Sequence, residues 1–270
     1  LLDSDGTEVT EVKTTYRINK RSFEIRVTEG MRSQVYTGKD IYLKDVVIWE
    51  LEDADADSNR GVLEQDKESV GKSVMLSTEN GATKVVNAGT YSIWYQYQTT
   101  TSNYQPIQRA QVSGENSKLV IIPRKVRVQP QITGDGDGHH FKYNGEGRFN
   151  LTGMSFTGQM GDAPLDADYG VVSLDSPFFF EIIIATYTNV DDETETFSNP
   201  LNNMDRNNLP AHVGTYKIKL ECVDTNYLIS LDRVDVEGAQ AFASVELSDQ
   251  LVIEKYEMVL NAPQFVREFR

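Results

Sequence analysis

Apolar and polar residues alternate along many short stretches of this chain, whereas the 3.6-residue period of an amphipathic helix is almost absent. The clearest alternating run covers residues 90–97. Its core-facing positions are predicted to be Tyr91, Ile93, Tyr95 and Tyr97. Successive side chains of a strand point to opposite faces, so Trp94 falls among the polar residues of the other face.

A second run of the same kind covers residues 216–222. Period-two spacing places Tyr216, Ile218, Leu220 and Cys222 on the core face, with lysines and a glutamate toward water. We therefore interpret Cys222 as a small apolar core residue and not as a reactive thiol. Gly, Asn, Asp and Ser separate such runs along the chain, which predicts an all-β protein.

Three short segments occur twice, in the same order. The matching pairs are Tyr36-Thr37-Gly38 with Tyr143-Asn144-Gly145, Asn87-Ala88-Gly89-Thr90-Tyr91 with His212-Val213-Gly214-Thr215-Tyr216, and Leu119-Val120-Ile121 with Leu251-Val252-Ile253. Their spacings of 107, 125 and 132 residues grow along the chain, as insertions in the second copy would produce. A further relative of the last segment lies upstream at residues 16–21. The sequence therefore predicts an internal duplication.

The duplication sets the predicted domain boundaries. Residues 19–122 form the first repeat and residues 123–254 form the second. Residues 1–18 are a leading segment that could be the last strand of a preceding repeat, and residues 255–270 are a tail or the start of a following repeat. Because no Gly/Ser linker separates the repeats, we expect them to be joined end to end.

The Gly-Thr-Tyr-x-Ile pattern at residues 89–93 and again at 214–218 resembles the corner before strand F of immunoglobulin-like sandwiches. Together with an Asn-Tyr step in each copy, it is similar to MBG-type and other bacterial Ig-like repeats, which occur in tandem in surface proteins of Gram-positive and gut bacteria. The resemblance implies two tandem immunoglobulin-like β-sandwich domains, with β-grasp-like variants as the alternative. It also implies that Tyr91 and Tyr216 are buried corner tyrosines whose hydroxyls bond to nearby backbone.

Composition limits the classes of partner. The chain has 26 Lys and Arg against 41 Asp and Glu, a formal net charge of −15. That balance argues against nucleic acid and anionic lipid, because binding to either needs a basic face. A single cysteine allows no intrachain disulfide, and together with three histidines it does not suit a zinc cluster. The most apolar stretch, residues 178–185, contains Glu181 and is too short to span a bilayer, so no membrane insertion is expected.

One acidic stretch has the spacing of a calcium loop. Its oxygen-bearing residues are Asp53, Asp55, Asp57, Asn59 and Glu64. Alternate oxygen donors followed by a glutamate at position twelve are the ligand pattern of EF-hand-type loops. Position six is Ser58 where such loops have glycine, and the preceding residues have the pattern of a strand. The alternative is a solvated acidic turn, so calcium is the one candidate cofactor and none is required.

The sequence contains no recognisable catalytic motif. It has no Gly-x-Ser-x-Gly, and Gly71-Lys72-Ser73 lacks the earlier glycine of a phosphate loop because Asp66 stands there. The histidines are His139, His140 and His212, and none lies in the context of a nucleophile. We therefore do not expect an enzyme, and a hydrolase is the last-ranked interpretation.

These observations favour a non-catalytic segment of a bacterial cell-surface protein that acts as an adhesin or stalk. The implied partner is a host protein or glycan, namely a mucin, a matrix protein or an immunoglobulin, and the segment is expected to be a monomer. Its expected location is extracellular, attached to the cell surface through regions outside this sequence. The alternative is a pair of carbohydrate-binding accessory modules of a secreted enzyme, in which exposed aromatic rings stack on sugars.

Overall fold

The structure is a computed structural model that describes parts of the chain. The described parts are residue 5 and residues 15–28, 33–99, 102–113, 117–129, 139–143, 167–172, 181–201 and 208–260. Most of the predicted leading segment 1–18, and residues 261–270 of the predicted tail, lie outside them.

Short strands make up most of the regular structure of these residues, and the few helices are brief. The strands up to residue 122 are β1 (Ile25–Val27), β2 (Gln34–Val35), β3 (Ile41–Tyr42), β4 (Trp49–Leu51), β5 (Val74–Thr78), β6 (Lys84–Val85), β7 (Gly89–Tyr97), β8 (Ile107–Gln111) and β9 (Lys118–Ile122). The later strands are β10 (Arg124–Arg127), β11 (His140–Lys142), β12 (Ile183–Asn189), β13 (Thr196–Pro200), β14 (Gly214–Cys222), β15 (Tyr227–Ser230), β16 (Ser244–Glu246) and β17 (Leu251–Glu254). The prediction of an all-β chain is confirmed.

The helical elements of the first half of the chain are α1 (Leu43–Val46), α2 (Lys67–Ser73) and a 3-10 turn at Glu64–Asp66, and in the second half residues 181–182 and 208 are also 3-10. Val70 is the buried residue of α2, so this helix carries little of the apolar periodicity by which a sequence pattern is recognised. Within the described residues, no helix has the length and apolar character needed to cross a membrane.

The chain divides into two compact units. The first comprises residues 1–32, 41–85 and 90–119, and the second comprises residues 33–40, 86–89 and 120–270. The sequence prediction placed residues 33–40 and 86–89 in the first repeat, whereas their contacts group them with the second unit. The reason is hydrogen bonding: β2 pairs in parallel with the end of β9, and the amide of Ala88 donates to Asn226 Oδ1 at 2.7 Å.

The first unit is built around β7. Strands β5 and β8 pair antiparallel with β7, and the amide of Ile93 donates at 3.1 Å to the carbonyl of Ser117, just before β9. Ile93, Tyr95 and Tyr97 are buried on the core face as predicted, but Tyr91 is only half-buried. Two further antiparallel pairs, β1 with β4 and β3 with β6, complete the described strands of this unit.

The second unit is built around β14. This strand pairs antiparallel with β12, β16 and β17, while β13 extends the sheet beyond β12 and β11 extends it beyond β17. Tyr216, Ile218, Leu220 and Cys222 are all buried, as the alternation predicts. Burial raises the pKa of Cys222 to about 11, so its thiol stays protonated at neutral pH. Strand β10 pairs in parallel with β15.

The two central strands have matching neighbours. Strand β7 lies between β9 and β5, and β14 lies between β17 and β12. Ile93 and Ile218 occupy matching positions in the duplicated Gly-Thr-Tyr segments, and both are 0% exposed. The β7–β8 ladder has a register shift between Tyr95 and Tyr97, so the neighbours of the two strands correspond in order and not at every position.

The strands that open and close each duplicated sheet also repeat. Strand β2 runs parallel to β9 with Gln34 opposite Ile121, and β11 runs parallel to β17 with Phe141 opposite Ile253. The next amides continue both ladders: that of Tyr36 donates to Ile122 and that of Tyr143 to Glu254, each at 2.9 Å. These positions coincide with the segments that the sequence matches between the two copies.

Candidate functional site

The acidic loop predicted to bind calcium follows β4 and leads into α2. Lys67, the first residue of α2, lies between two of its carboxylates, with Nζ 2.5 Å from Asp53 Oδ1 and 2.6 Å from Glu64 Oε2. The hydrogen bond from Lys67 lowers the pKa of Asp53, and the two carboxylates raise the pKa of Lys67. The structure thus brings two of the five predicted ligands together, around an ammonium group.

The other three predicted ligands do not join that pair. Asp55 Oδ1 accepts the amide hydrogen of Asp57 at 2.8 Å, which lowers the pKa of Asp55. Asn59 Nδ2 donates to the carbonyl of Lys20 at 2.9 Å, and Asp57 is exposed. In the part of the chain that the structure describes, no three His, Cys, Asp or Glu side chains are grouped to hold a metal ion. Calcium binding by this loop stays a prediction.

The sharp turn of the loop lies at Gly61 and not at the sixth position. Gly61 has a left-handed φ of 79°, and a Cβ there would lie 1.9 Å from the carbonyl oxygen of Asp53. Its neighbour Val62 forms a parallel bridge with Asp53. The loop therefore closes its own backbone onto Asp53, and glycine is required where the two chain segments meet.

We expect Lys67→Met to increase the stabilisation of the first unit by calcium, because the ion no longer competes with an ammonium group for Asp53 and Glu64. The measurement is the melting temperature in calcium, in magnesium at equal ionic strength and in chelator. Lys72→Met is the matched control, since Lys72 pairs with Glu68 on the same helix. If calcium and magnesium shift the melting temperature equally in both variants, the loop does not bind calcium specifically.

The two predicted corner tyrosines differ in their surroundings. Tyr216 is 0% exposed, and its hydroxyl lies 3.1 Å from the carbonyl oxygen of His212 and 3.2 Å from Glu195 Oε1. Burial and the nearby Glu195 carboxylate raise the pKa of Tyr216 to about 12. Tyr91 is half-buried, and partial burial raises its pKa. The two tyrosines occupy matching positions in the sequence but differ in burial.

A polar cluster around Glu195, just before β13, had no signal in the sequence. Besides the hydroxyl of Tyr216, its carboxylate lies 2.6 Å from Asn189 Nδ2 and 2.6 Å from His212 Nδ1. Burial acts to raise the pKa of Glu195, but the hydrogen bonds from these neighbours outweigh it and lower that pKa. The cluster fastens the turn between β12 and β13 to the start of β14, which is a structural task.

The outer face of the sheet around β7 carries the half-buried Trp94. The guanidinium of Arg109 lies 4.5 Å from the centroid of the Trp94 ring, a cation–π arrangement. Arg109 also donates to the carbonyl oxygens of Thr78 and Glu79. Because Arg109 covers one face of the indole, a sugar ring can stack on that face only after the arginine moves.

The indole Nε1 of Trp94 is buried, and the exposed group beside this tryptophan is Met75. Met75 is 53% exposed, and Gln96 Nε2 lies 3.5 Å from Met75 Sδ. The second tryptophan, Trp49, is half-buried against α2, where a Cβ on Gly71 would come within 3.8 Å of its ring. Trp94 is therefore the tryptophan that lies beside exposed contact groups, and Trp49 packs beneath a helix.

Arg124, at the start of β10, is a buried cation of the second unit and is 2% exposed. Its Nε and Nη2 donate to the carbonyl oxygens of Gly170 and Tyr169 at 3.0 and 2.7 Å, and its Nη1 donates to that of Tyr36 at 3.3 Å. Burial lowers the pKa of Arg124. The carbonyl oxygens replace the water that the guanidinium loses, so Arg124 fastens three chain segments together.

Arg21 repeats this arrangement in the first unit. Its Nε donates to the carbonyl oxygen of Gly61 at 3.1 Å, and its Nη2 donates to that of Arg60. The glycines at the two sites, Gly61 and Gly170, have left-handed φ values of 79° and 82°. Each unit therefore contains an arginine that binds the backbone at and before a left-handed glycine.

An Asn-Tyr step lies beside each of these arginines. The amide of Arg21 donates to the carbonyl of Asn103 at 2.9 Å, and that of Arg124 donates to the carbonyl of Asn226 at 3.0 Å. The hydroxyl of the following tyrosine accepts a backbone amide hydrogen, at 3.1 Å in the first unit and 3.2 Å in the second. These tyrosines are Tyr104 and Tyr227. The duplicated Asn-Tyr step thus has a structural role that its spacing alone did not reveal.

Comparison with known proteins adds no relative to this picture: no family model, no curated protein and no solved structure matches the chain.

Proposed function

We propose that this chain is a non-catalytic, extracellular segment of a bacterial cell-surface protein, in which tandem immunoglobulin-like repeats act as an adhesin or stalk. The observation that carries the proposal is the repeated parallel pairing of the strands that open and close each sheet, in which Gln34 opposite Ile121 recurs as Phe141 opposite Ile253 at the offsets of the sequence duplication. A chain that repeats one scaffold gains reach, and its loops and sheet faces are free to serve as binding surfaces.

Three features support an immunoglobulin-like form of the repeats. The strands that open and close each sheet pair in parallel, β2 with β9 and β11 with β17. Strands β3 and β6 form a pair apart from the sheet of β7, as a second layer would. The hydroxyl of Tyr216 lies within hydrogen-bond distance of a backbone carbonyl four residues upstream, as in a tyrosine corner.

The binding surface that we favour is the outer face of the sheet formed by β5, β7 and β8. There Met75 is exposed beside Gln96 and near Trp94, so the face offers apolar area together with an amide. Such a face suits a host mucin, matrix protein, immunoglobulin or glycan. The net charge of −15 favours a ligand that is neutral or basic.

Binding of the whole chain to an array of mucins, matrix proteins, immunoglobulins and purified glycans tests the proposal. We expect saturable binding to at least one of them, weakened by roughly tenfold in Met75→Asp, because the charge sits at the centre of the contact face. Val190→Asp, at a similarly exposed valine of the second unit, should leave the affinity unchanged. Cleavage of a bound ligand would contradict the proposal, and binding to no member of the array would overturn the adhesin role and leave the stalk role.

A pair of carbohydrate-binding modules is the second candidate, and the position of Trp94 on an outer sheet face favours it. The two candidates differ in the role of Arg109, which covers the indole ring at 4.5 Å. In a sugar-stacking site, Arg109→Ala uncovers the ring and strengthens glycan binding, while Trp94→Ala abolishes it. A protein-binding face loses affinity in both variants, and free sugar does not compete with the ligand.

A further inference from the structure

Inside the second unit, a short segment packs against a corner formed by Arg124, Asn226 and Tyr227, which we name the Asn-Tyr corner. Arg124 Nη1 donates to the carbonyl oxygen of Tyr36 at 3.3 Å. The rings of Tyr36 and Tyr227 meet edge to face, with centroids 5.5 Å apart. Tyr36 is consequently 5% exposed.

A second segment binds the asparagine of the same corner. Asn226 Oδ1 accepts the amide hydrogen of Ala88 at 2.7 Å, and Asn226 Nδ2 donates to Asn87 Oδ1 at 3.3 Å. The side chain of one asparagine therefore binds the backbone of one residue and the side chain of its neighbour. Tyr36, Asn87 and Ala88 together close the corner, and Asn226 is 8% exposed.

The second unit carries counterparts of these two segments at another place, an end face formed by Tyr143, His212 and Val213. The duplicated sequence matches Tyr143 with Tyr36, and His212-Val213 with Asn87-Ala88. Tyr143 and Val213 are each 40% exposed, and the side chain of His212 is 73% exposed. The end face therefore contains the residues that are equivalent to Tyr36, Asn87 and Ala88, but its side chains are exposed to solvent.

The first unit carries a matching corner of its own, formed by Arg21, Asn103 and Tyr104. Its arginine and asparagine share the backbone hydrogen bond that Arg124 shares with Asn226. Asn103 is exposed and Arg21 is half-buried, whereas their counterparts in the second unit are buried. One chain thus displays an end face with exposed side chains and, separately, a corner in which Asn103 is exposed, Arg21 is half-buried and Tyr104 is buried.

We propose that the end face of one copy docks on the Asn-Tyr corner of the first unit of a second copy. The contacts seen once inside the second unit specify the pairing. Arg21 would donate to the carbonyl oxygen of Tyr143, and the side chain of Asn103 would accept the amide hydrogen of Val213. Since the two surfaces differ, the contact is heterologous, and copies add head to tail.

The association is expected to be weak. Tyr104 already packs edge to face against Phe23, with centroids 5.9 Å apart, so Tyr143 gains less ring contact than Tyr36 has. Each copy also carries a charge of −15, so added salt should strengthen the contact by screening repulsion. The chain is therefore expected to be a monomer in dilute solution.

Disulfide trapping tests the pairing of residues. Protein carrying Asn103→Cys is mixed with protein carrying Val213→Cys under oxidised glutathione, and the covalent heterodimer is followed on non-reducing gels. The control mixture replaces Val213→Cys with Val236→Cys, at a valine that is 45% exposed and lies outside the end face. We expect the first mixture to cross-link at least about tenfold faster, because binding raises the effective concentration of the two thiols.

A double variant calibrates the geometry. Ala88→Cys with Asn226→Cys in one chain places the two thiols at the template contact, where backbone nitrogen and side-chain oxygen are 2.7 Å apart. This chain should form its internal disulfide readily. Equal cross-linking rates in the test and control mixtures, with the internal disulfide formed, would overturn the proposal.

Sedimentation equilibrium supplies an independent readout on the unmodified chain. The weight-average mass should rise above 30.4 kDa as the concentration approaches ~1 mM, and it should rise further at higher salt. Val213→Asp should return the mass to that of one chain, while Val236→Asp should not. A mass that stays at 30.4 kDa for the unmodified chain at every salt concentration would overturn the proposal.

Discussion

Replacing Arg124 with methionine should lower the free energy of unfolding of the second unit by about 3–5 kcal/mol, because it leaves three carbonyl acceptors without their donor. Methionine roughly fills the space of the arginine stem, so the expected loss comes from hydrogen bonding and not from a cavity. The carbonyl oxygens of Gly170, Tyr169 and Tyr36 each lose a donor in a site that is 2% exposed. A buried acceptor left without a donor costs about 1–3 kcal/mol.

Urea unfolding followed by fluorescence and by circular dichroism measures this effect, and both probes are needed because a chain of two units need not unfold in one step. Arg233→Met is the control, since Arg233 pairs with Asp235 at an exposed site and its loss should leave the stability almost unchanged. Arg124→Lys should recover little, because an ammonium group cannot reproduce the planar fork. Equal stability of Arg124→Met and Arg233→Met would show that Arg124 does not fasten the unit.

Tyr216→Ala is the second large effect, with an expected loss of about 3–5 kcal/mol. Tyr216 is 0% exposed, and its ring packs edge to face against Phe197 with centroids 6.3 Å apart. Removing the ring leaves a cavity on the core face of β14. Tyr216→Phe keeps the ring and removes the hydroxyl, so it should cost about 1 kcal/mol.

The matching substitution in the first unit tests whether the loss of stability depends on the burial of the ring or only on its position in the duplicated motif. Tyr91 occupies the equivalent position but is half-buried, so Tyr91→Ala should cost clearly less than Tyr216→Ala. The melting temperatures of Tyr216→Ala, Tyr216→Phe and Tyr91→Ala, measured in one buffer, make the comparison. A Tyr91→Ala loss as large as that of Tyr216→Ala would mean that the burial of these two rings does not set their contribution.

The parts of the fold that could be predicted from the sequence are those with long alternating patterns. Strands β7 and β14 are nine residues each, and their buried faces follow the period-two pattern, apart from Tyr91. Strands such as β3 and β6 have two residues each, which is too short to show alternation. The parallel pairings join segments far apart in the chain, and no local pattern specifies which segments meet.

The acidic loop shows why spacing alone does not define a metal site. Asp53 and Glu64 have the expected separation, but Lys67 lies just beyond the pattern and takes both carboxylates. Gly61 bends the loop at a position where an EF-hand-type loop does not need glycine. Side-chain partners of this kind depend on the folded backbone, so they could not be read from the intervals between acidic residues.

The arginine pair has a trace in the sequence. Residues 16–21 match residues 119–124, and this match aligns Arg21 with Arg124. No sequence pattern indicates that both side chains bind backbone carbonyls. That role requires Gly61 and Gly170, which lie 40 and 46 residues from their arginines.

Cross-strand nuclear Overhauser effects on the labelled chain test most directly the claim that the chain contains one strand arrangement twice. The account predicts contacts between Thr78 and Ile93 and between Tyr187 and Ile218, together with the parallel pairs of Gln34 with Ile121 and Phe141 with Ile253. A one-residue shift in either parallel pair, Gln34 with Ile121 or Phe141 with Ile253, would contradict it, because such a shift turns every side chain to the other face.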